Sequence, residues 1–128
     1  MKDNQNSIRM LEEGRAKFAF DKAFEAKDRA YAPKYKSHVK RVPMLIKTNG
    51  LGATLAFIKN GDEAYKAIYQ NLTDWLRNDA KHIIDIEEDL VKTVVSLDSA
   101  VYRAVTNEVL AFLNWLRRFS DGLIESED

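Results

Sequence analysis

The sequence of 128 residues contains no cysteine, only two prolines and only five glycines. The missing cysteine excludes disulfide bonds, thiolate metal sites and cysteine nucleophiles, and it is typical of a reducing compartment. Because a β-sandwich needs many turn residues, the scarcity of glycine and proline disfavours that class. No run approaches the ~18 consecutive apolar residues of a membrane span, and the polar residues 1–6 precede no signal-type apolar core. These absences predict a cytoplasmic protein without a membrane segment.

Apolar residues recur at intervals of three, four and seven along most of the chain, which predicts helices throughout. The length of 128 residues suits one domain. We therefore expect residues 1–128 to form a single all-α domain, a compact bundle of about six helices. The residues predicted at or just before the helix starts are Asn6 or Ser7, Pro33, Leu51, Asp62, Ile86, and Asp98 or Ser99.

Proline and glycine predict where two of these helices bend or end. Pro43 lies inside the pattern of the second helix, where it removes one helical hydrogen bond and biases Val42 away from helical geometry. A kink or a short break is expected there. Gly122 should end the last helix, and the acidic tail, residues 125–128, should be frayed.

The first helix has two apolar sides. Ile8, Leu11 and Phe18 mark one side, whereas Phe20 and Phe24 lie roughly opposite at ~100° per residue. The helix is therefore either sandwiched inside the core, or Phe20 and Phe24 form a patch that contacts a partner.

The formal net charge is zero, but the charge is unevenly distributed. Residues 1–50 carry 12 Lys and Arg against 6 Asp and Glu, a net charge of +6, whereas residues 51–128 carry 8 against 14, a net charge of −6. The two halves could simply neutralise each other in the folded chain. Otherwise an anionic partner would meet the first half.

The second helix carries a stripe of cations. Lys36, Lys40 and Lys47 lie four and seven residues apart on one face, with Arg41 beside them. Evenly spaced cations on a rigid helix can follow a phosphate backbone, because each neutralised phosphate releases a counterion. The stripe predicts contact with RNA or DNA, with an ordinary solvated helix face as the alternative.

Two arginines follow each other near the end of the last helix. Arg117 and Arg118 suit phosphate or the carboxylates of a partner. Surface solvation near a helix C-terminus is the alternative.

Candidate catalytic and metal-binding residues are few. Arg77 and His82, separated by four intervening residues, resemble the short signature of HEPN ribonucleases, but a shuffled chain of this composition yields about 0.4 such matches. His38 borders the apolar stripe of the second helix and is expected to be a core-edge histidine. Two histidines without cysteine argue against zinc, and the consecutive Glu87–Asp89 fan around a helix instead of converging. No metal and no cofactor is expected.

Several longer stretches carry a more specific signal. They are VPMLIKTNGL at residues 42–51, running on to LAFI at 55–58, and YRAVTNEVLAFLNWLRRF at 102–119. Together they resemble the small all-α subunit of the type III-B CRISPR effector, the Cmr complex, and RAKFA at 15–19 fits the same family. The resemblance covers most of the chain and leaves residues 78–88 outside.

The resemblance implies a role in antiviral defence. Small subunits of this family stack along a filament of backbone subunits that holds the CRISPR RNA, and they help to line the channel in which the target RNA pairs with it. They carry no nuclease site. The family's basic surface positions fall on Lys47, Arg117 and Arg118, whereas Lys36, Lys40 and Arg41 rest on spacing alone.

The resulting prediction is a non-catalytic RNA-binding small subunit. Its expected partners are CRISPR RNA, target RNA, the backbone subunits and further copies of itself, with Phe20 and Phe24 as the protein contact. Two alternatives remain: a metal-independent HEPN-like ribonuclease using Arg77 and His82, and a helical adaptor with no nucleic-acid role.

Overall fold

The structure, a computed structural model, describes the backbone of residues 2–126 and the side chains of residues 12 and 14–126. The helices are α1 Lys2–Ala26, α2 Ala32–Asn49, α3 Leu51–Lys59, α4 Glu63–Asn78, α5 Leu90–Val95 and α6 Ser99–Leu123. No strand occurs between residues 2 and 126. The predicted all-α fold of six helices is confirmed, and its extent as a single domain over residues 1–128 stays a prediction.

The predicted helix starts agree with the structure most closely where a side chain caps the backbone. Asp62 accepts a hydrogen bond from the backbone N–H of Tyr65 at 2.9 Å, and Asp98 accepts one from Val101 at 3.0 Å. A carboxylate at this position satisfies one of the free N–H groups at a helix N-terminus. The predicted start of the first helix is wrong, because α1 begins at Lys2 and runs through Asn6 and Ser7.

Proline and glycine interrupt the helices less than predicted. α2 continues through Pro43, so the expected short break is wrong. The neighbouring Val42 and Ile46 are buried in the core, and this packing offsets the missing hydrogen bond. α6 likewise passes Gly122 and ends at Leu123, because Ile124 is buried and its N–H still bonds to Ser120.

The start of the fifth helix differs from the prediction, whereas the described part of the C-terminal tail agrees with it. α5 begins at Leu90, four positions after Ile86, so residues 79–89 form a longer connection than expected. Glu125 and Ser126 are exposed and non-helical, as predicted for the tail, while residues 127–128 lie outside the described residues.

The core collects side chains from all six helices around α6. α1 approaches α6 through the small residues Ala19, Ala23 and Ala26, which let two helices pack closely. Phe112 of α6 lies in an aromatic cluster, with ring centroids 5.5 Å from Trp75 and 6.1 Å from Phe18. This packing holds α6 against α1 and α4, and α6 also packs against α2, where the surface described next lies.

We expect the replacement of Asp62 by alanine to lower the free energy of unfolding by about 0.5–2 kcal/mol, because the cap of α4 is lost. His38 Nε2 also lies 2.9 Å from Asp62 Oδ2, and together with the Tyr65 N–H it holds the pKa of Asp62 below its ordinary value of 3.8. A depressed carboxylate pKa stabilises the fold above that ordinary value and ceases to do so as the pH falls. Chemical denaturation at neutral and acidic pH measures both effects.

The matched control is Asp98→Ala, which removes a cap of the same kind without a histidine partner. An unfolding free energy for Asp62→Ala equal to that of the wild type would contradict the prediction.

Candidate nucleic-acid interface

The lysine stripe of α2 lies along the edge of α6, which runs in the opposite direction. Lys36 Nζ donates to the backbone carbonyl of Ile124 at 2.8 Å, and Lys40 Nζ lies 3.1 Å from Asp121 Oδ1. Two turns further along α2, Lys47 lines the same groove as Arg117. The pairing is therefore antiparallel, with rising positions of α2 matched to falling positions of α6.

Lys47 and Arg117 line one groove of about 210 Å³ between the two helices. The other residues of its wall are Pro43, Leu110, Leu113 and Asn114. Both cations are exposed, and among the described side chains neither has an ion pair. Two uncompensated cations beside the Asn114 amide can bind one phosphate or two neighbouring ones.

The remaining predicted RNA-binding residues do not join this groove. The charges of Lys36 and Lys40 are engaged at the C-terminal end of α6. Arg41 is exposed on the side of α2 that faces α3. Arg118 packs its guanidinium 5.1 Å from the centre of the Trp115 ring. The structure thus brings Lys47 and Arg117 together and leaves the others dispersed.

An aromatic ladder, Phe24–Phe20–Phe119–Trp115, crosses from α1 to α6. Its ring centroids are separated by 5.9, 5.3 and 5.8 Å in that order. Phe20 and Phe24 remain 39% and 49% exposed. Of the two alternatives, a first helix sandwiched in the core is therefore wrong, because α1 buries its alanine side and leaves these two rings at the surface. The contact of these rings with a partner stays a prediction. Ile8 and Leu11 have side chains outside the described residues.

The histidines have local partners. His38 stacks on Tyr65 with ring centroids 3.6 Å apart, which confirms a core-edge histidine. His82 Nε2 lies 2.6 Å from Asp85, while Arg77 donates to the carbonyl of Ile86 at 3.4 Å. Arg77 and His82 therefore have separate partners.

A buried carboxylate was missed by the sequence analysis. Glu108 of α6 receives a two-pronged hydrogen bond from Arg15 at 2.8 and 2.9 Å, one from Trp75 Nε1 at 3.0 Å and one from Lys81 at 3.0 Å. Its side chain is only 1% exposed. Burial alone raises the pKa of Glu108, but the hydrogen bonds from Arg15, Lys81 and Trp75 hold it below its ordinary value.

Helical spacing contains the signal that could have revealed Glu108. It lies three residues after Val105 and four before Phe112, on the apolar stripe of the last helix. An acid at such a position requires a buried partner. The partner, Arg15, belongs to the RAKFA segment, so the buried pair joins two of the stretches that carried the family resemblance.

Two further findings concern the described residues only. No group of three or more His, Cys, Asp or Glu side chains is arranged to hold a metal ion. Within the part of the chain that the structure describes, no helix is both long and apolar enough to cross a membrane.

The fold and the groove define a small all-helical protein with a paired cationic site between two helices. The model of the family described as "CRISPR-associated protein (Cas_Cmr5)" matches residues 11–123, including the segment that the resemblance left outside. The chain therefore belongs to the Cmr5 family, the small all-helical subunits of the type III-B CRISPR Cmr complex.

Individual relatives agree with this assignment. The chain is 30% identical over 113 residues to the "CRISPR system Cmr subunit Cmr5" of Thermus thermophilus, covering 86% of this chain and 92% of the relative. It also matches the X-ray crystal structure of a CRISPR-associated Cmr5 family protein from the same organism, with a TM-score of 0.76 and 28% identity over 90% of this chain and 97% of that one.

Proposed function

We infer that this protein is a non-catalytic structural subunit of a cytoplasmic type III-B effector complex, in which it contacts RNA through the groove lined by Lys47 and Arg117. The observation that carries the proposal is the meeting of these two exposed cations, from distant parts of the chain, without any carboxylate partner among the described residues. Base pairing between guide and target supplies sequence specificity, so the protein needs only contacts to the backbone.

The other basic residues contribute to the same proposal to different degrees. The Lys40–Asp121 pair is half exposed, and exposed ion pairs contribute only ~0–1 kcal/mol, so a phosphate can replace Asp121. Lys36 is held by the Ile124 carbonyl and serves mainly to fasten α2 to the end of α6. Arg118 adds positive charge at the aromatic ladder.

The aromatic ladder supports a protein contact. Phe20 and Phe24 expose adjacent apolar rings, and apolar patches of this kind mark interaction surfaces. We assign this face to a backbone subunit or a further copy of the chain within the stacked filament. The separate partners of Arg77 and His82 support a non-catalytic role, because a ribonuclease site requires both side chains to converge on one phosphate.

Affinity purification of the tagged chain from its native host tests this function. We expect CRISPR RNA to be recovered together with the backbone subunits, because the subunit acts only within the assembled complex. RNA sequencing and mass spectrometry of the purified material measure both. Recovery of the chain alone, or with unrelated proteins, would overturn the proposal.

The variant Phe20→Ser combined with Phe24→Ser separates protein contact from RNA contact in the same purification. It should reduce recovery of the protein partners, whereas Lys66→Glu, at an exposed position of α4, serves as the control and should recover them normally. A purified complex with protein partners but no CRISPR RNA would favour the helical adaptor instead.

A further inference from the structure

A second groove, of about 360 Å³, lies between α2 and α3. Its wall consists of Arg41, Leu45 and Asn49 from α2 and Ala53, Thr54 and Phe57 from α3. At ~100° per residue, Arg41, Leu45 and Asn49 fall on the side of α2 opposite Lys47. This groove is therefore distinct from the one proposed to contact RNA.

The groove is apolar and exposed. Phe57 is 53% exposed, although its ring is held edge-on against Tyr65 with centroids 5.3 Å apart. Phe57 is one of the five large hydrophobic side chains that the described residues leave exposed. An exposed aromatic ring in the wall of an apolar concave site is typical of a binding surface.

The charge of the groove is uncompensated. Neither α2 (Ala32–Asn49) nor α3 (Leu51–Lys59) contains an aspartate or a glutamate. Arg41 has no ion pair among the described side chains, in contrast to Lys40 beside it, which meets Asp121. An occupant that covers the groove and displaces water from Arg41 is therefore favoured when it brings a carboxylate, which suits bidentate pairing with the guanidinium.

We propose that the α2–α3 groove docks a segment of another protein subunit of the complex, one that inserts one or two large apolar side chains beside Leu45 and Phe57 and places a carboxylate on Arg41. The volume fits side chains and not a whole helix. Asn49, at the end of the groove, offers an amide to the backbone of that segment. The inference rests on membership in the complex but not on the RNA contact.

RNA suits this groove less well than a protein segment does. A nucleic-acid backbone needs a row of cations, and Arg41 is the one charged residue in the wall. Phe57 offers one aromatic face for stacking and Arg41 one guanidinium plane, but the aliphatic Leu45 and Ala53 do not extend them into a row of stacking platforms for successive bases. The lysines that could follow a backbone lie on the opposite side of α2.

Reconstitution of the Cmr complex with guide RNA tests the proposal, with the assembled remaining subunits as the probe. Arg41→Glu replaces the cation that pairs with the carboxylate of the docked segment by a like charge. Ala53→Trp fills the groove from an exposed position of α3. We expect each variant to bind the remaining subunits about tenfold more weakly or worse, and Arg41→Lys to recover part of the loss. Lys34→Glu, an exposed charge reversal on the same helix outside the groove, is the control and should bind normally. Thermal unfolding of each free variant verifies the fold.

Site-specific crosslinking then identifies the occupant. With the photoreactive p-benzoylphenylalanine in place of Phe57, the crosslinked peptide should come from a different chain and contain an apolar residue next to Asp or Glu. A crosslink to RNA, to a second copy of this chain, or to nothing would overturn the proposal. Failure of the groove proposal is distinguishable from failure of the proposed function. If only the groove proposal is wrong, the wild type and both groove variants join the complex equally. If the proposed function is wrong, the wild type itself does not join the complex.

Discussion

Replacement of Glu108 by alanine is expected to lower the free energy of unfolding by about 3–5 kcal/mol. The change removes the acceptor for Arg15 and for Trp75 Nε1, and both donors lose their partner in a mostly buried site. Arg15 is only 11% exposed, so water cannot easily replace the lost carboxylate. Denaturant unfolding followed by circular dichroism measures the effect.

The buried hub consists of Glu108 and its donors Arg15, Trp75 and Lys81. Two controls distinguish loss of this hub from a general loss of charge. Glu88→Ala removes a carboxylate that pairs with Lys92 on the surface, and such a pair contributes only ~0.3–0.5 kcal/mol. The double variant Arg15→Met with Glu108→Leu replaces the buried ion pair by apolar side chains and should recover part of the loss, since no unpaired Arg15 remains while Trp75 Nε1 still lacks its acceptor. Equal effects of Glu88→Ala and Glu108→Ala would refute the assignment of Glu108 as a buried structural hub.

The pH dependence of the same hub has a definite sign. Because hydrogen bonds hold the pKa of Glu108 below its ordinary value of 4.5, the ionised group stabilises the fold at pH values above 4.5. This stabilisation is lost as the pH falls through the lower folded-state pKa. The difference in unfolding free energy between the wild type and Glu108→Gln should therefore be largest near neutral pH and shrink in acid.

Reversal of both groove cations, Lys47→Glu with Arg117→Glu, should weaken binding of target RNA to the assembled complex by about 10- to 100-fold for each copy of the subunit. Both side chains are exposed and the described residues give them no ion pair, so the reversal removes attraction to phosphate without breaking a contact inside the protein. Copies repeated along a filament act through effective concentration, which multiplies the loss.

The salt dependence of binding provides the sharper measurement. Each phosphate contact to a single strand contributes ~0.7 to the slope of log K against log salt, so loss of two contacts should lower the slope by about 1.4 per copy. Lys66→Glu with Arg103→Glu makes the same change in charge at exposed positions outside the groove. An unchanged slope in the groove variant, or the same decrease in this control, would sink the assignment of Lys47 and Arg117 to RNA.

Local interactions explain which features of the fold were predictable. Asp62 and Asp98 cap helices through backbone N–H groups three residues away, so a short stretch of sequence contains both partners. The short break expected at Pro43 does not occur, for the opposite reason. Its local cost is real, but burial of Val42 on one side and Ile46 on the other depends on helices far away in the chain.

The candidate site was likewise predictable only in part. The cations Lys47 and Arg117 were recognised individually from charge and from family resemblance. Their meeting in one groove depends on the antiparallel packing of α2 against α6, which helical periodicity does not specify. The engagement of Lys36 with Ile124 follows from the same packing.

The amino-acid sequence by itself determined the all-α class, the caps of α4 and α6 and the family, because these depend on periodicity, on side chains three or four residues apart and on motifs read along the chain. Only the tertiary structure decided which charges remain available. Arg15 is neutralised by Glu108 and Lys40 by Asp121, whereas Lys47, Arg117 and Arg41 have no such partner among the described residues. A charge is compensated or exposed according to which distant helix packs beside it, and that information arises only when the chain folds.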